Sequence, residues 1–187
     1  MDKLFPTLCL VWLASEIWIA VRRRSGDTAR TRDAGTLRLL TITIYASVAL
    51  AAWFGGLGVA RFAPALRAPL WWSAVALMAL GMPLRWWAIH VLSRFFTVDV
   101  AIHPGHELVR RGPYRLLRHP SYTGSLLTFL GFGLGFGNWL SLLTVLAPVT
   151  LAFLWRIHVE ERVLREAFPE QYPAYAQATW RLVPFVW

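Results

Sequence analysis

The sequence predicts an all-α, polytopic helical membrane protein with about five transmembrane segments, a C-terminal helical hairpin and a polar pocket region on the cytosolic side. Three observations predict it. The 187-residue chain is 57% hydrophobic and 16% charged, whereas soluble domains carry about 45–50% apolar and about 25% charged residues. Several apolar runs approach the ~20 residues that cross a hydrocarbon core. The formal net charge of +9 comes from arginines gathered at the ends of those runs, which is a topology signal. Length alone would also fit one soluble domain, so hydropathy decides.

The first span is Leu4 to Val21, closed by Arg22-Arg23-Arg24. Its charge excess follows the apolar stretch and no small-residue cleavage site comes after it, so it reads as a retained anchor rather than a signal peptide. A polar loop covers 22–36. The second span runs from about Leu37 to Val59, and Arg61 to Arg67 form a short connection. The third runs from about Pro69 to Val91, with a kink expected at Pro83. A long polar stretch, Ser93 to Ser121, follows. Tyr122 to about Gly137 and Leu140 to about Ile157 are short apolar runs joined by a tight Gly-Asn-Trp turn, and they read as a hairpin. The tail from Val159 to Trp187 is amphipathic and aromatic. The chain divides into N-terminal transmembrane helices at 1–92 and a chemistry-bearing region at 93–187.

If the 22–36 loop, the 93–121 stretch and the tail share one side, the other side keeps only Lys3, Arg61 and Arg67. The Lys/Arg bias then puts the N-terminus outside and the C-terminus in the cytosol. No Lys/Arg-rich tail or aromatic-interleaved basic patch supports nucleic acid as a partner. Cys9, the single cysteine, excludes a disulfide framework or a cysteine metal site.

Candidate chemistry concentrates in His103 to Gly124, HPGHELVRRGPYRLLRHPSYTG. Arg110, Arg111 and Arg115 read as interfacial anchors. Arg118-His119-Pro120 differs. Proline suits a helix start, so Arg118 and His119 would lie just outside a helix beginning near Ser121, where backbone N–H groups can receive an anion. A second cluster holds Arg156, His158, Glu160 and Glu161. Arg156 and Glu160 share a helix face, which fits a capped helix end and a site equally. The histidines lack helical metal-ligand spacing, so a metal site is rejected. Glycines at 131, 133, 135 and 137 lie in an apolar helix and read as close packing, not a nucleotide loop. Glu16 and Arg85 lie inside apolar runs near span ends, where function and snorkelling are equally open.

The run H-E-L-V-R-R-G-P-Y-R-L-L-R-H-P-S-Y-T-G at 106–124 resembles the signature of the isoprenylcysteine carboxyl methyltransferase family. R-I-H-V-E-E-R-V-L-R-E-A-F-P-E-Q-Y-P-A-Y at 156–175 is similar to that family's second block. Phospholipid methyltransferases and membrane steroid reductases share parts of the pattern. The resemblance implies an integral membrane methyltransferase using S-adenosylmethionine on a lipophilic acceptor, a carboxylate or prenylated substrate that arrives from the bilayer. It implies cofactor contacts at Asp99, His106, Glu107, Leu108, Val109, Tyr114, His119, Pro120, Ser121, Tyr122 and Glu160. Arg156 matches a substrate-contacting arginine, and Arg118 one placed at the active site. Both are implied as catalytic. One departure stands out. The family's eukaryotic enzymes carry another basic residue soon after the second block's last tyrosine, whereas Tyr175 is followed by Ala-Gln-Ala and then, later, Arg181. The alternatives are an NADPH-dependent membrane reductase of the steroid-reductase type, a phospholipid N-methyltransferase, and a scaffold without activity.

Overall fold

A computed structural model describes residues 3–22, 30–31, 35–96, 101–102, 105 and 107–186. It is a helical bundle. Helix α1 spans Leu4–Arg22, α2 Thr36–Leu57, α3 Pro64–Leu92, α4 Pro120–Gly135, α5 Trp139–Ala167 and α6 Tyr172–Gln177. The helices α1, α2, α3 and α5 are long and apolar enough to cross a membrane. At 16 residues, α4 falls short of the ~20 needed for an independent span. It nevertheless runs the height of the bundle, because the turn after it meets the connection after α2: Phe62 N donates to the Gly137 carbonyl and Trp139 N to that of Ala60.

Glycine sets the closest approach in the bundle. A Cβ added at Gly124 of α4 would lie 2.6 Å from the Gly81 carbonyl oxygen and from the Arg85 nitrogen of α3. One added at Gly131 would lie 2.6 Å from the Ala74 carbonyl oxygen. Small residues thus bring α3 and α4 backbone to backbone. The expected packing role holds for Gly131, Gly133 and Gly135: a Cβ on Gly133 would meet Leu142 of α5, and one on Gly135 the ring of Phe5 of α1. Gly137 departs from it: it lies beyond the end of α4 at φ +72, with nothing within 4 Å of an added Cβ, and serves the turn instead. On the other side, Ser141 Oγ of α5 donates to the Ala51 carbonyl of α2 at 2.6 Å. Met78, Phe129, Phe132, Val145, Val149 and Phe153 fill the centre, with Trp12 edge-on to Phe129 at 5.0 Å.

The outer surface is apolar. Leu10, Trp53, Leu80, Leu151 and Trp155 are each more than half exposed, an arrangement that water disfavours and lipid accepts. The polytopic helical class expected from composition is therefore the observed one.

Two boundaries and one pairing differ from the hydropathy reading. The last long helix does not end near Ile157 but continues to Ala167. Hydropathy stops at the first charges, whereas Glu, Arg, Leu and Ala continue a helix readily when those charges have partners. Helix α3 begins at Pro64, five residues before the expected start, and continues through Pro83 to Leu92. Finally, the two long polar stretches meet. Arg30–Thr31 (β1) and Ala101–Ile102 (β2) pair antiparallel, with Arg30 opposite Ile102.

Candidate active site

The site forms where α4 and α5 begin and end at one end of the bundle. Helix α4 starts at Pro120, as proline's fixed φ and missing N–H favour, and His119 is its N-cap residue. The following C-terminal segment folds back beside this start. Arg118 N donates to the Trp180 carbonyl at 2.7 Å, His119 N to that of Arg181 at 3.1 Å, and Thr123 Oγ1 to that of Leu182 at 2.8 Å. Tyr175 Oη donates to the Tyr114 carbonyl at 3.0 Å. The first motif block is thus tied by backbone hydrogen bonds to residues 180–181, just beyond the second block, and to the second block itself by the Tyr175 hydroxyl.

Glu160 and Glu161 are adjacent, so about 100° of helix separates them and they face different neighbours. Glu160 faces the cavity. Its Oε1 accepts from Tyr122 Oη at 2.6 Å, and Oε2 lies 3.5 Å from His119 Nδ1. Tyr122 Oη in turn accepts from Arg156 Nε at 2.8 Å. Arg156 is only 2% exposed, and its Nη1 donates to Thr36 Oγ1 of α2 at 3.0 Å. Glu161 faces the C-terminal segment. It accepts from Arg118 Nε at 3.0 Å, and from Arg181 Nε and Nη2, both at 3.0 Å. Arg118 Nη1 donates to the carbonyls of Ala176 and Thr179.

His119 sits between the two carboxylates, with Nε2 3.4 Å from Glu161 Oε1. Burial by itself disfavours its imidazolium, but the hydrogen bonds and charges of Glu160 and Glu161 outweigh this and raise its pKa above the ordinary value of about 6.5. The sign follows. Stability from the protonated ring is complete below about pH 6.5 and is lost as pH rises through the raised folded-state value. The melting-temperature gap between wild type and His119→Gln in detergent is expected to narrow from about pH 6 to about pH 9. A gap constant across that range would contradict a bridging imidazolium. Burial also raises the Tyr114 phenol well above its usual value, so it stays protonated.

Tyr114, Arg118, His119, Tyr122, Arg156 and Glu160 line a cavity of about 410 Å³. Of the residues implied by the motif blocks, Glu107, Leu108, Val109, Tyr114, Arg118, His119, Ser121, Tyr122, Arg156 and Glu160 all line it. Pro120 does not; it is buried and begins α4. Asp99 and His106 lie outside the described residues. The cavity also takes residues that the motif blocks do not contain. Trp12, Leu13, Glu16 and Ile17 of α1, Leu40, Ile44, Tyr45 and Val48 of α2, and Arg85 of α3 form its apolar side and one corner. Leu13, Ile17 and Tyr45 line it yet are 50%, 52% and 65% exposed, so it opens laterally between α1 and α2. The structure gives Glu16 and Arg85 a partner, not a role. They pair with each other, Arg85 Nε to Oε1 at 2.6 Å and Nη2 to Oε2 at 2.8 Å. Arg85 Nη1 also donates to Ser121 Oγ at 3.0 Å. The signal available in the sequence was the presence of two opposite intramembrane charges.

Comparison with known proteins fits this arrangement. Residues 70–171 match the family model described as phospholipid methyltransferase. Protein-S-isoprenylcysteine O-methyltransferase B of Arabidopsis thaliana is 36% identical over 129 residues, covering 67% of this chain and 66% of that protein. Protein-S-isoprenylcysteine O-methyltransferase of Saccharomyces cerevisiae is 34% identical over 112 residues, 59% of this chain and 47% of that one. An uncharacterized Bacillus subtilis protein is 30% identical over 99 residues, 51% of this chain and 58% of its own length. The chain thus spans about half to two thirds of the length of these relatives. The family match alone takes in more than half of the chain, α3 through the end of α5 and both motif blocks up to Gln171, and on that ground the chain belongs to the phospholipid methyltransferase family, on its isoprenylcysteine carboxyl methyltransferase side.

Proposed function

We propose that the protein is an integral membrane methyltransferase that uses S-adenosylmethionine and methylates the carboxylate of a lipophilic acceptor. The observation that carries this is one cavity with two chemically different sides. Glu160, Tyr122, His119 and Tyr114 line its polar end, and the exposed faces of α1 and α2 open its apolar side toward lipid. About 410 Å³ lies within the usual range for small-molecule pockets.

The residues fit the cofactor's chemistry. Glu160, partly exposed to the cavity, can accept from an amino or hydroxyl group. The tyrosine faces suit adenine or a cation, and the 107–110 segment offers backbone groups outside any helix. When bound, the cofactor supplies an electrophilic methyl on a sulfonium. A carboxylate acceptor is already nucleophilic, so the protein supplies orientation and dryness rather than a base. Arg156 is the group for orientation: it is buried, held by Tyr122 and Thr36, and suited to a planar anion. Arg118, engaged with Glu161 and two carbonyls, acts in this reading as a positioning residue. The Lys/Arg bias puts the polar end in the cytosol, with the N-terminus outside.

The family's description gives weight to a second reading, N-methylation of an amine headgroup. An amine must first lose a proton, and a buried Arg156 cation repels an ammonium, so the carboxylate is favoured. Calorimetry in detergent tests the cofactor site directly. S-adenosylhomocysteine is expected to bind wild type and to bind Glu160→Ala about tenfold to hundredfold more weakly, the worth of one or two hydrogen bonds to a charged group. Wild-type protein that binds NADPH and not S-adenosylhomocysteine would overturn the assignment in favour of a reductase. Labelled methyl transfer to phosphatidylethanolamine but not to a prenylcysteine carboxylate would favour the amine.

A further inference from the structure

Helix α1 is attached to the bundle by an apolar face that buries Trp12 and Ile19 and by the Glu16–Arg85 ion pair. Near its start, Phe5 and Trp12 pack on Phe132, Phe136 and Phe129 of α4. In its second half, the polar attachment is Glu16 on Arg85 of α3, a forked pair at 2.6 and 2.8 Å. Between and beyond these points Leu13, Ile17 and Val21 are half or more exposed. Leu13 and Ile17 share the cavity-lining face with Glu16 itself. The pair therefore stands on the wall of the lateral opening.

We propose that Glu16 and Arg85 are positioning residues that fix the second half of α1 and so set the width of the channel between α1 and α2 that receives the apolar part of the acceptor. This rests on the reading of the cavity as a methyl-transfer site with a lipophilic acceptor. Two physical points support it. A charged pair in a low-dielectric surround is directional and strong when both members are present, and breaking it leaves an uncompensated charge. An apolar contact in lipid has no such preference, because α1 can exchange protein neighbours for acyl chains at little loss. The pair is thus the interaction able to hold α1 in one place. Arg85 also binds Ser121, two residues after His119 and beside Tyr122, so the channel wall and the start of α4 share one anchor.

The test uses the full chain in lipid nanodiscs with two acceptors of identical headgroup, S-farnesyl- and S-octyl-thioacetic acid, and reads kcat, KM and S-adenosylhomocysteine affinity separately. Glu16→Gln and Arg85→Gln are expected to raise the farnesyl KM about fivefold or more, with kcat and cofactor affinity within about twofold. The preference for farnesyl over octyl is expected to shrink. The exchange Glu16→Arg with Arg85→Glu is expected to restore most of the farnesyl KM. Should Arg85→Gln not be recovered folded, Arg85→Lys carries the test, since it keeps the cation and loses the fork. Turnover in wild type with an unchanged farnesyl KM in the variants overturns this inference alone. So does a cofactor affinity that falls in step with KM, which would mean the pair serves the cofactor side. A wild type that neither binds S-adenosylhomocysteine nor methylates either acid overturns the site reading and this inference together.

Discussion

Glu161→Ala is expected to lower stability by about 3 kcal/mol, at the low end of the range for breaking a buried ion pair. The reason is the number of cations that meet on one carboxylate. Glu161 is 4% exposed, and Arg118, Arg181 and His119 all reach it within 3.0 to 3.4 Å. Arg165 approaches at 3.6 Å but is 59% exposed, so its share is small. Arg181, 30% exposed, can also regain water in the variant. Arg118 and His119 cannot, at 12% and 5%. The variant leaves them as buried donors with too few acceptors. In a detergent melt the midpoint is expected to fall by roughly 6–12 °C for a chain of this size. Protease should also cut earlier within residues 176–182, which Arg118 and Glu161 hold against the start of α4. A midpoint within about 2 °C of wild type would mean that the cations repartner without loss.

That hub explains what could and could not be read from the chain. The long spans were legible because lipid demands about 20 apolar residues from any independent crossing, whatever its neighbours. Helix α4 was legible as a hairpin arm through its short apolar run, the tight turn after it and its starting proline. The end of α5 was not, since Glu160 and Glu161 look like a boundary until their partners are known. Those partners are far away in sequence: His119 is about forty residues earlier and Arg181 twenty later. Spacing along a helix gave Arg156 with Glu160 but could not reveal that Tyr122 stands between them, accepting from one and donating to the other. Nor could it tell which glutamate faces the cavity. Glu16 and Arg85 were conspicuous as intramembrane charges, yet 69 residues separate them, and only the fold identifies each as the other's partner. The resemblance located both blocks but said nothing of the α1 and α2 faces that complete the cavity.

Arg156→Lys is expected to lower kcat/KM by about 10²–10³ while leaving S-adenosylhomocysteine affinity far less affected, the magnitude seen when a preorganised donor at a reacting group is lost. Lysine keeps the charge and most of the volume, so the change isolates the planar fork. In the wild type that fork is fixed before any acceptor arrives: Nε lies on Tyr122 Oη and Nη1 on Thr36 Oγ1, in a nearly buried side chain on the cavity wall. An ammonium has one centre and cannot hold both partners in that geometry, so under the proposed function the acceptor carboxylate would lose its alignment with the methyl, to which rates are steeply sensitive. The signature is opposite to that of Glu160→Ala, which acts on cofactor affinity first. Equal losses of affinity and turnover in Arg156→Lys would mean that the arginine serves the cofactor through Glu160 rather than the acceptor. Full turnover in the lysine variant would remove orientation by Arg156 from the mechanism. Thr36→Val offers a milder version of the same experiment, since it takes away one of the two groups that aim the guanidinium and leaves the guanidinium itself in place.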